Sequence, residues 1–92
     1  MELIATFSGS HAALAAEQAL LGAGLAVELI PVPRQIHSDC GFCLLSGFDP
    51  GTAESGRRLQ LLRDWGAQGL WLVSATPHSA SSRKVKNYER YP

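Results

Sequence analysis

The chain lacks an excess of charge of either sign. Its 92 residues include 8 Lys and Arg against 8 Asp and Glu, and only 8% of them are aromatic. Up to Ala75 four basic residues stand against seven acidic ones, and the other four basic residues follow Thr76. A slightly acidic domain without a basic stripe is poorly suited to binding phosphate backbones. The composition therefore predicts no nucleic-acid partner.

The sequence also lacks a long apolar run. Its apolar stretches are interrupted by Glu17 and Glu28, well short of the roughly 20 residues that a membrane span needs. The first residues, Met1 to Ile4, contain none of the basic residues that open a secretory signal. We therefore expect no membrane partner and a cytoplasmic location.

The length leaves room for one small globular domain. With 46% hydrophobic and 17% charged residues, the chain has the composition of a folded protein. We predict that residues 1–75 form this domain. Residues 76–92 are polar, basic and without hydrophobic periodicity, so they are expected to be a disordered C-terminal tail that can be removed without loss of the fold.

Hydrophobic periodicity divides the domain into six elements in the order βαββαβ. The predicted strands are residues 2–7, 26–30, 41–48 and 70–74, and the predicted helices are residues 11–23 and 52–65. Ser10 is the expected cap of the first helix and Asp49 that of the second. This order is typical of an α+β, ferredoxin-like fold with a four-stranded antiparallel sheet and two helices on one face. In that topology Ser10 and His11 lie near the loop from Arg34 to Cys43.

The chain has only two cysteines, Cys40 and Cys43. In a reducing compartment their close spacing favours redox, metal or transfer chemistry over a structural disulfide. The pair opens a predicted strand, whereas a thioredoxin-type pair opens a helix, which weakens the redox interpretation. His37 completes an H-x₂-C-x₂-C pattern, and His11 could add a fourth zinc ligand, but the second close ligand pair of a structural zinc site is missing. No metal and no other cofactor is predicted.

The segment from Ile30 to Gly41, IPVPRQIHSDCG, resembles the selenium/sulfur carrier-like family, a family of small domains of unknown function. It contains a Pro-x-Pro-Arg segment followed by a Ser-x-Cys-Gly step, and the resemblance extends over about Met1 to Val73. It implies that Cys40 accepts sulfur or selenium as a persulfide or selenosulfide. It also implies a donor or acceptor protein as partner and a carrier or accessory role in preference to that of a true enzyme.

A sulfur acceptor must be a thiolate, which nearby cations and backbone N–H groups stabilise. Arg34 and His37 flank Cys40 in the loop, and Gly41 would let a backbone N–H approach a bound anion closely. Asp39 acts in the opposite direction, because an adjacent carboxylate raises the pKa of a thiol. Two alternatives are an inert, half-buried Cys40 and an Arg34 that only pairs with Asp39 at the surface.

Two further groups of residues belong to this candidate site. Ser10 and His11 stand at the start of the first helix, where the positive end of the helix dipole would face the loop. Cys43 is a resolving or accessory thiol in one interpretation and a core residue in the other. Two other functions stay open: a non-enzymatic module that binds a small ligand or forms oligomers, and a weak metal or redox module that uses both cysteines.

Two helices cover only one face of a four-stranded sheet, so apolar strand residues must also point to the other face. One of Leu70 and Trp71 lies there in whichever register the strands adopt. Large exposed apolar patches are unusual in soluble monomers. We therefore expect a homodimer through this face or through a sheet edge, and the competing possibility is that residues 31–39 or the tail fold over the face.

Overall fold

The computed structural model describes residues 1–36, 41–77 and 84–91. The elements follow in the order β1 (Glu2–Thr6), α1 (Ser10–Gly22), β2 (Glu28–Pro31), β3 (Phe42–Gly47), α2 (Ala53–Asp64), β4 (Gly69–Pro77) and β5 (Lys84–Tyr91). The predicted α+β class, with two helices and an antiparallel sheet, is confirmed. No helix within these ranges is long and apolar enough to cross a bilayer.

The strands form a single antiparallel sheet in the order β2-β3-β1-β4-β5. The prediction of four strands is wrong, because β5 extends the sheet beyond β4. In the register, Ile4 of β1 lies between Leu45 of β3 and Trp71 of β4. These three residues therefore point to one face of the sheet. The residues two positions before and after each of them in the same strand point to that face as well.

β5 comes from the polar, basic segment that the sequence assigns to a tail. It pairs with β4 from Leu70 opposite Tyr91 to Pro77 opposite Lys84. Tyr91 packs edge-on against Phe48, with ring centroids 5.7 Å apart, while Tyr88 packs on the opposite face of the sheet. Because residues three apart in a strand point to opposite faces, these two tyrosines produce no apolar alternation, and the strand escapes recognition from the sequence.

α1 forms from an alanine- and leucine-rich segment with high helix propensity. Its N-cap is Gly9 and not Ser10 as predicted, and no side-chain hydrogen bond caps it. Ser10 is instead the first helical residue. The chain leaves the helix through Gly24, whose φ of +82° is a left-handed conformation that favours glycine.

α2 is capped by Thr52 and not by Asp49 as predicted. The Thr52 hydroxyl accepts a hydrogen bond from the Ser55 N–H at 3.2 Å. Asp49 contributes through its backbone: its N–H donates to the Ser55 hydroxyl at 3.0 Å, and its carbonyl accepts from the Thr52 hydroxyl at 2.9 Å. These three hydrogen bonds link Asp49, Thr52 and Ser55 to one another and hold the turn that leads into the helix.

The main core lies between the helices and one face of the sheet. Leu3, Ala5 and Phe7 alternate along the first strand and the residue after it, and all three are buried. Among the residues that meet them are Ala13, Ala16 and Leu20 of α1, Leu62 of α2, Leu44 of β3 and Leu70 of β4. Both helices therefore pack on the same face of the sheet.

A second, smaller cluster covers the other face of the sheet. Ile4, Cys43 and Val73 form its strand side, and Ile36 from the loop after β2 packs onto them. Ile36 is only 4% exposed, and Cys43 is not exposed at all. Part of this face is therefore covered by the chain itself, through the loop that the sequence analysis gave as the competing possibility.

Candidate functional site

The candidate site lies at the end of the sheet where β1 finishes. Thr6, the last residue of β1, is opposite Cys43 at the start of β3, and Cys43 is opposite Ile30 near the end of β2. β1 continues into the turn before α1, and β2 continues into the loop before β3. The N-terminus of α1 and the two ends of this loop therefore meet the same end of the sheet, as predicted.

Two backbone hydrogen bonds shape the described part of the loop. The N–H of Val32 donates to the carbonyl of Gly41 at 3.1 Å, which holds the two ends of the loop together. The N–H of Ile36 donates to the carbonyl of Pro33 at 3.0 Å and closes a tight turn. Arg34 lies in this turn with its side chain exposed, where the guanidinium is accessible to a partner.

Ile36 anchors the turn on the sheet. Its side chain packs into the cluster that contains Ile4, Cys43 and Val73. Burial of a side chain of this size stabilises by about 1.5–3 kcal/mol. Sequence reasoning missed this residue, because a lone isoleucine between polar neighbours shows no periodicity; its apolar character in an otherwise polar loop was the available signal.

Cys43 lies on the face of the sheet away from the helices, beneath the Ile36 turn. Its exposure is 0%. A thiol in this position packs in the cluster that also holds Ile4, Val73 and Ile36, and it is shielded from soluble reagents.

His37 and Cys40 lie outside the residues that the structure describes, together with Asp39. Gly41 directly follows Cys40 in the sequence and is exposed. Its carbonyl is the group that accepts the Val32 hydrogen bond. Cys40, the predicted reactive cysteine, thus directly precedes Gly41, whose carbonyl is hydrogen-bonded to the residue after β2.

Ser10 and His11 begin α1 at the same end of the sheet, and both are exposed. The first turn of the helix carries no acidic residue, so no carboxylate offsets the positive end of its dipole there. Within the described ranges no hydrogen bond or ion pair joins Arg34 to Ser10 or His11. Among the described residues, Arg34 thus shares one end of the sheet with Ser10 and His11 without a hydrogen bond or ion pair to either of them.

No group of three metal-ligating side chains occurs in residues 1–36, 41–77 and 84–91. The predicted zinc pattern includes His37 and Cys40, which lie outside these ranges. His11, its fourth candidate ligand, has an exposed side chain on the first turn of α1. The described residues thus supply no metal centre of their own.

A comparison with known protein families finds a match over residues 2–50 of the chain. This range matches the model of the family described as "Putative Se/S carrier protein-like", and it makes up more than half of the chain. The chain belongs to this family. No curated protein and no solved structure gives a significant match.

The match to the Se/S carrier-like family covers β1, α1, β2, the loop and β3, up to Pro50. It contains both cysteines, Arg34, Gly41 and the start of α1. The elements α2, β4 and β5 follow it in the sequence. All of the predicted site residues therefore lie within the matched part of this carrier-like chain.

A second polar feature, which the sequence analysis missed, lies at the opposite end of the sheet. Arg58 of α2 is only 6% exposed, and its Nη1 donates to the carbonyl of Gly47 at 2.8 Å while its Nη2 lies 3.2 Å from Glu54 Oε1. It lines a cleft of about 490 Å³ together with Met1 and Asp49. Nothing in the sequence distinguishes it from its exposed neighbour Arg57. Its bonds attach α2 to the end of β3.

Proposed function

We propose that this protein carries sulfur or selenium on Cys40, as a persulfide or a selenosulfide. The observation that supports this most is the match to the Se/S carrier-like family over residues 2–50, the part of the chain that holds Cys40 and Arg34. The role is that of a carrier or accessory protein, in which one thiol accepts an atom from one partner and passes it to another.

The loading step is a thiol exchange that needs no external oxidant. The Cys40 thiolate attacks the terminal sulfur of a cysteine persulfide on the donor protein, and the S–S bond of the donor breaks as a new S–S bond forms on Cys40. The donor leaves as a thiolate and takes up the proton that the Cys40 thiol released. Selenium moves in the same way from a donor selenosulfide, and unloading repeats the step with the thiolate of an acceptor.

Positive groups at this end of the sheet favour the thiolate and the bound persulfide. Arg34 is held in a closed turn with its guanidinium exposed, and a guanidinium binds anions through several N–H donors. The N-terminus of α1 lies at the same end without a side-chain cap, so its first N–H groups favour negative charge. His37 and the N–H of Gly41 complete the proposed set.

Cys43 takes no part in sulfur loading in this proposal. Because its side chain is fully buried in the cluster that contains Ile36, a partner protein reaches it only after a local movement of the chain that exposes the thiol. A resolving role, in which Cys43 attacks the inner sulfur of a Cys40 persulfide and releases hydrosulfide, would require that movement. We therefore propose that Cys40 alone takes part in loading.

The partners of the carrier are a sulfur or selenium donor protein and an acceptor protein. We place this chemistry in the reducing cytoplasm, where thiols are kept available for exchange. It requires neither a resident metal nor an organic cofactor, because the transferred atom is itself the cargo.

Intact-protein mass spectrometry after incubation with a small-molecule persulfide tests the proposal. We expect wild type and Cys43→Ala to gain the mass of one sulfur atom and to lose it again when an acceptor thiol is added. Cys40→Ser should gain nothing. Sulfur that still loads on Cys40→Ser and disappears with Cys43→Ala would overturn the assignment.

A further inference from the structure

The outward face of α1 carries no Lys, Arg, Asp or Glu. The exposed side chains of this helix recur three or four positions apart, so they form one stripe along it. Leu14 and Leu21, at 48% and 47% exposure, are the large apolar members of the stripe. After Ser10, its other exposed members are His11, Ala15, Gln18 and Gly22.

α2 packs beside α1 on the same face of the sheet, and its outward composition is different. Its exposed positions include Glu54, Arg57, Arg63 and Asp64. Charged side chains on the outer side are usual for a surface helix, whereas a helix that is apolar on all sides is typical of an element buried on all sides. The inner side of α1 packs into the main core, so its outer side is suited to a second contact.

Large and small residues follow one another along the stripe in a self-complementary order. Leu14 and Gly22 stand four residues before and after Gln18, and Ala15 and Leu21 stand three residues before and after it. An antiparallel second copy of α1 centred on Gln18 therefore places each leucine opposite a small residue. A methyl group added to Gly22 would have nothing within 4 Å, so there is open space above it for a leucine.

Charge complementarity favours a second copy of the chain as the occupant of this face. Neither of two facing stripes carries a charged residue, so no charge is buried without a counter-charge, as would happen against a charged partner surface. Glu17, the only charged residue of α1, is half-buried and lies beside the stripe, at the rim of the contact.

The size of the face indicates a weak contact. α1 has 13 residues and is therefore about 20 Å long. One helix of a second copy covers such a stripe when the two axes are roughly 8–10 Å apart. A contact between one helix from each copy buries less than the about 1,600 Å² of a standard stable interface. Such a dimer dissociates in the micromolar range, and below that range the stripe is in water, where it adds little to the stability of the single chain.

We propose that α1 is the interface of a reversible homodimer, in which the outward stripes of two antiparallel copies pack about a twofold axis at Gln18. The contact is isologous, since Leu14 of each copy meets Leu21 and Gly22 of the other. The N-terminus of α1 and the loop after β2 share one end of the sheet, so antiparallel packing places the two candidate sites at opposite ends of the interface. The dimer goes beyond the proposed carrier function and would hold even if Cys40 accepted neither sulfur nor selenium.

A disulfide cross-link tests the position of the twofold axis. Gln18→Cys, made in the full chain together with Cys40→Ser, brings the new thiol next to its own copy, within the roughly 4.4–6.8 Å between Cα atoms that a disulfide allows. Mild oxidation should give a covalent dimer that reducing agent dissolves. Gln60→Cys in the same background, at an exposed position of α2, is the matched control and should stay monomeric. Cys43 is buried in both proteins.

Two complementary charges test which residues face each other. Leu14→Lys and Leu21→Glu should each raise the dissociation constant by about tenfold or more in sedimentation equilibrium, because a charge enters an apolar contact. An equal mixture of the two variants should associate more tightly than either alone, since the lysine introduced in one copy then lies beside the glutamate introduced in the other. Circular dichroism shows whether each variant keeps its fold.

Three results would overturn the proposal. A wild-type chain that sediments as a single species of 9.9 kDa up to high micromolar concentration would exclude the dimer and assign the face to a different protein. Equal cross-linking of Gln18→Cys and Gln60→Cys would show random collision. Association that is unchanged in both Leu14→Lys and Leu21→Glu would place the contact outside α1.

Discussion

Ile36 is the residue on which the position of the loop depends most. It is the only described residue of the turn from Pro33 to Ile36 that is almost fully buried, and it packs directly over the cluster that holds Cys43. Its side chain therefore links the stability of the loop to the accessibility of the second cysteine.

We predict that Ile36→Ala lowers the free energy of unfolding by about 2 kcal/mol, because a buried aliphatic side chain is replaced by a cavity. In a Cys40→Ser background it should also speed the alkylation of Cys43. Urea unfolding and the rate of reaction with iodoacetamide measure the two effects. Leu14→Ala, at a position of α1 that is 48% exposed, is the control and should change stability by less than about 0.5 kcal/mol. An unchanged Cys43 rate in Ile36→Ala would contradict the role of Ile36 as a cover.

Arg58 and Arg57 are adjacent in sequence and differ in environment, which makes them a matched pair. Arg58 is buried and bonded to the Gly47 carbonyl, whereas Arg57 is exposed. We predict that Arg58→Gln costs about 1.5–3 kcal/mol of unfolding free energy, since the hydrogen bond from a buried, charged donor to the Gly47 carbonyl is lost. Arg57→Gln should cost less than about 0.5 kcal/mol. Equal values in urea unfolding would show that the bond between α2 and β3 contributes nothing.

Among the elements, β5 departs furthest from the sequence-based expectation. The composition of residues 76–92 predicts a tail that can be removed, whereas Lys84–Tyr91 pair with β4 from Leu70 to Pro77. Tyr91 packs against the main core and Tyr88 against the smaller cluster. The strand thus contributes to both faces of the sheet.

From these contacts we predict that truncation after Pro77 lowers the melting temperature by at least about 5 °C, since a loss of 1 kcal/mol corresponds to about 4–8 °C in a domain of this size. Tyr91→Ala, which removes only the contact with Phe48 and its surroundings, should produce a smaller decrease. Calorimetry measures both. If the truncated chain melts at the wild-type temperature, the removable tail of the sequence analysis is the better description.

The elements with a regular apolar pattern were predictable, and the others were not. β1, α1, β3 and α2 lie within one residue of their predicted positions at both ends, because apolar spacing and the glycines after each helix mark them. β2 was expected at residues 26–30 and occupies Glu28–Pro31, since a proline is tolerated in an edge strand. At the candidate site the sequence predicted the shared end of the sheet, but it could not place Ile36, whose burial depends on a fold-back of the loop. The roles of Arg34 and Gly41 stay predictions.

At the scale of the whole molecule, the chain covers part of the sheet face that the sequence left open. Cys43, Val73 and Ile4 are buried within one chain by Ile36 and its neighbours. The expectation of a homodimer depends on an apolar sheet face that is in contact with water. Because the chain itself covers part of that face, this argument for a homodimer is weaker than the sequence alone implies. Among the described residues, the large apolar side chains that stay exposed are Met1, Leu14, Leu21, Phe42 and Trp65.

The homodimer stays a prediction, and its expected interface moves to the helix side. Leu14 and Leu21 lie seven residues apart on α1 and share an outward face. We expect Leu21→Glu to dissociate the dimer, while Gln68→Glu, at an exposed position in the turn before β4, leaves it intact. Sedimentation equilibrium at micromolar concentration measures the mass, and a single wild-type species of 9.9 kDa would reject the dimer.

Cys40 is the residue proposed to carry the transferred atom, so the decisive measurement is the position of the added sulfur in the wild-type protein. Both cysteines fall in one tryptic peptide, from Gln35 to Arg57, so fragmentation of that peptide separates them after loading with a persulfide donor and capping with an alkylating reagent. We expect the additional sulfur on Cys40 and none on Cys43. Sulfur on Cys43, or a loaded peptide in which Cys40 is unmodified, would contradict it.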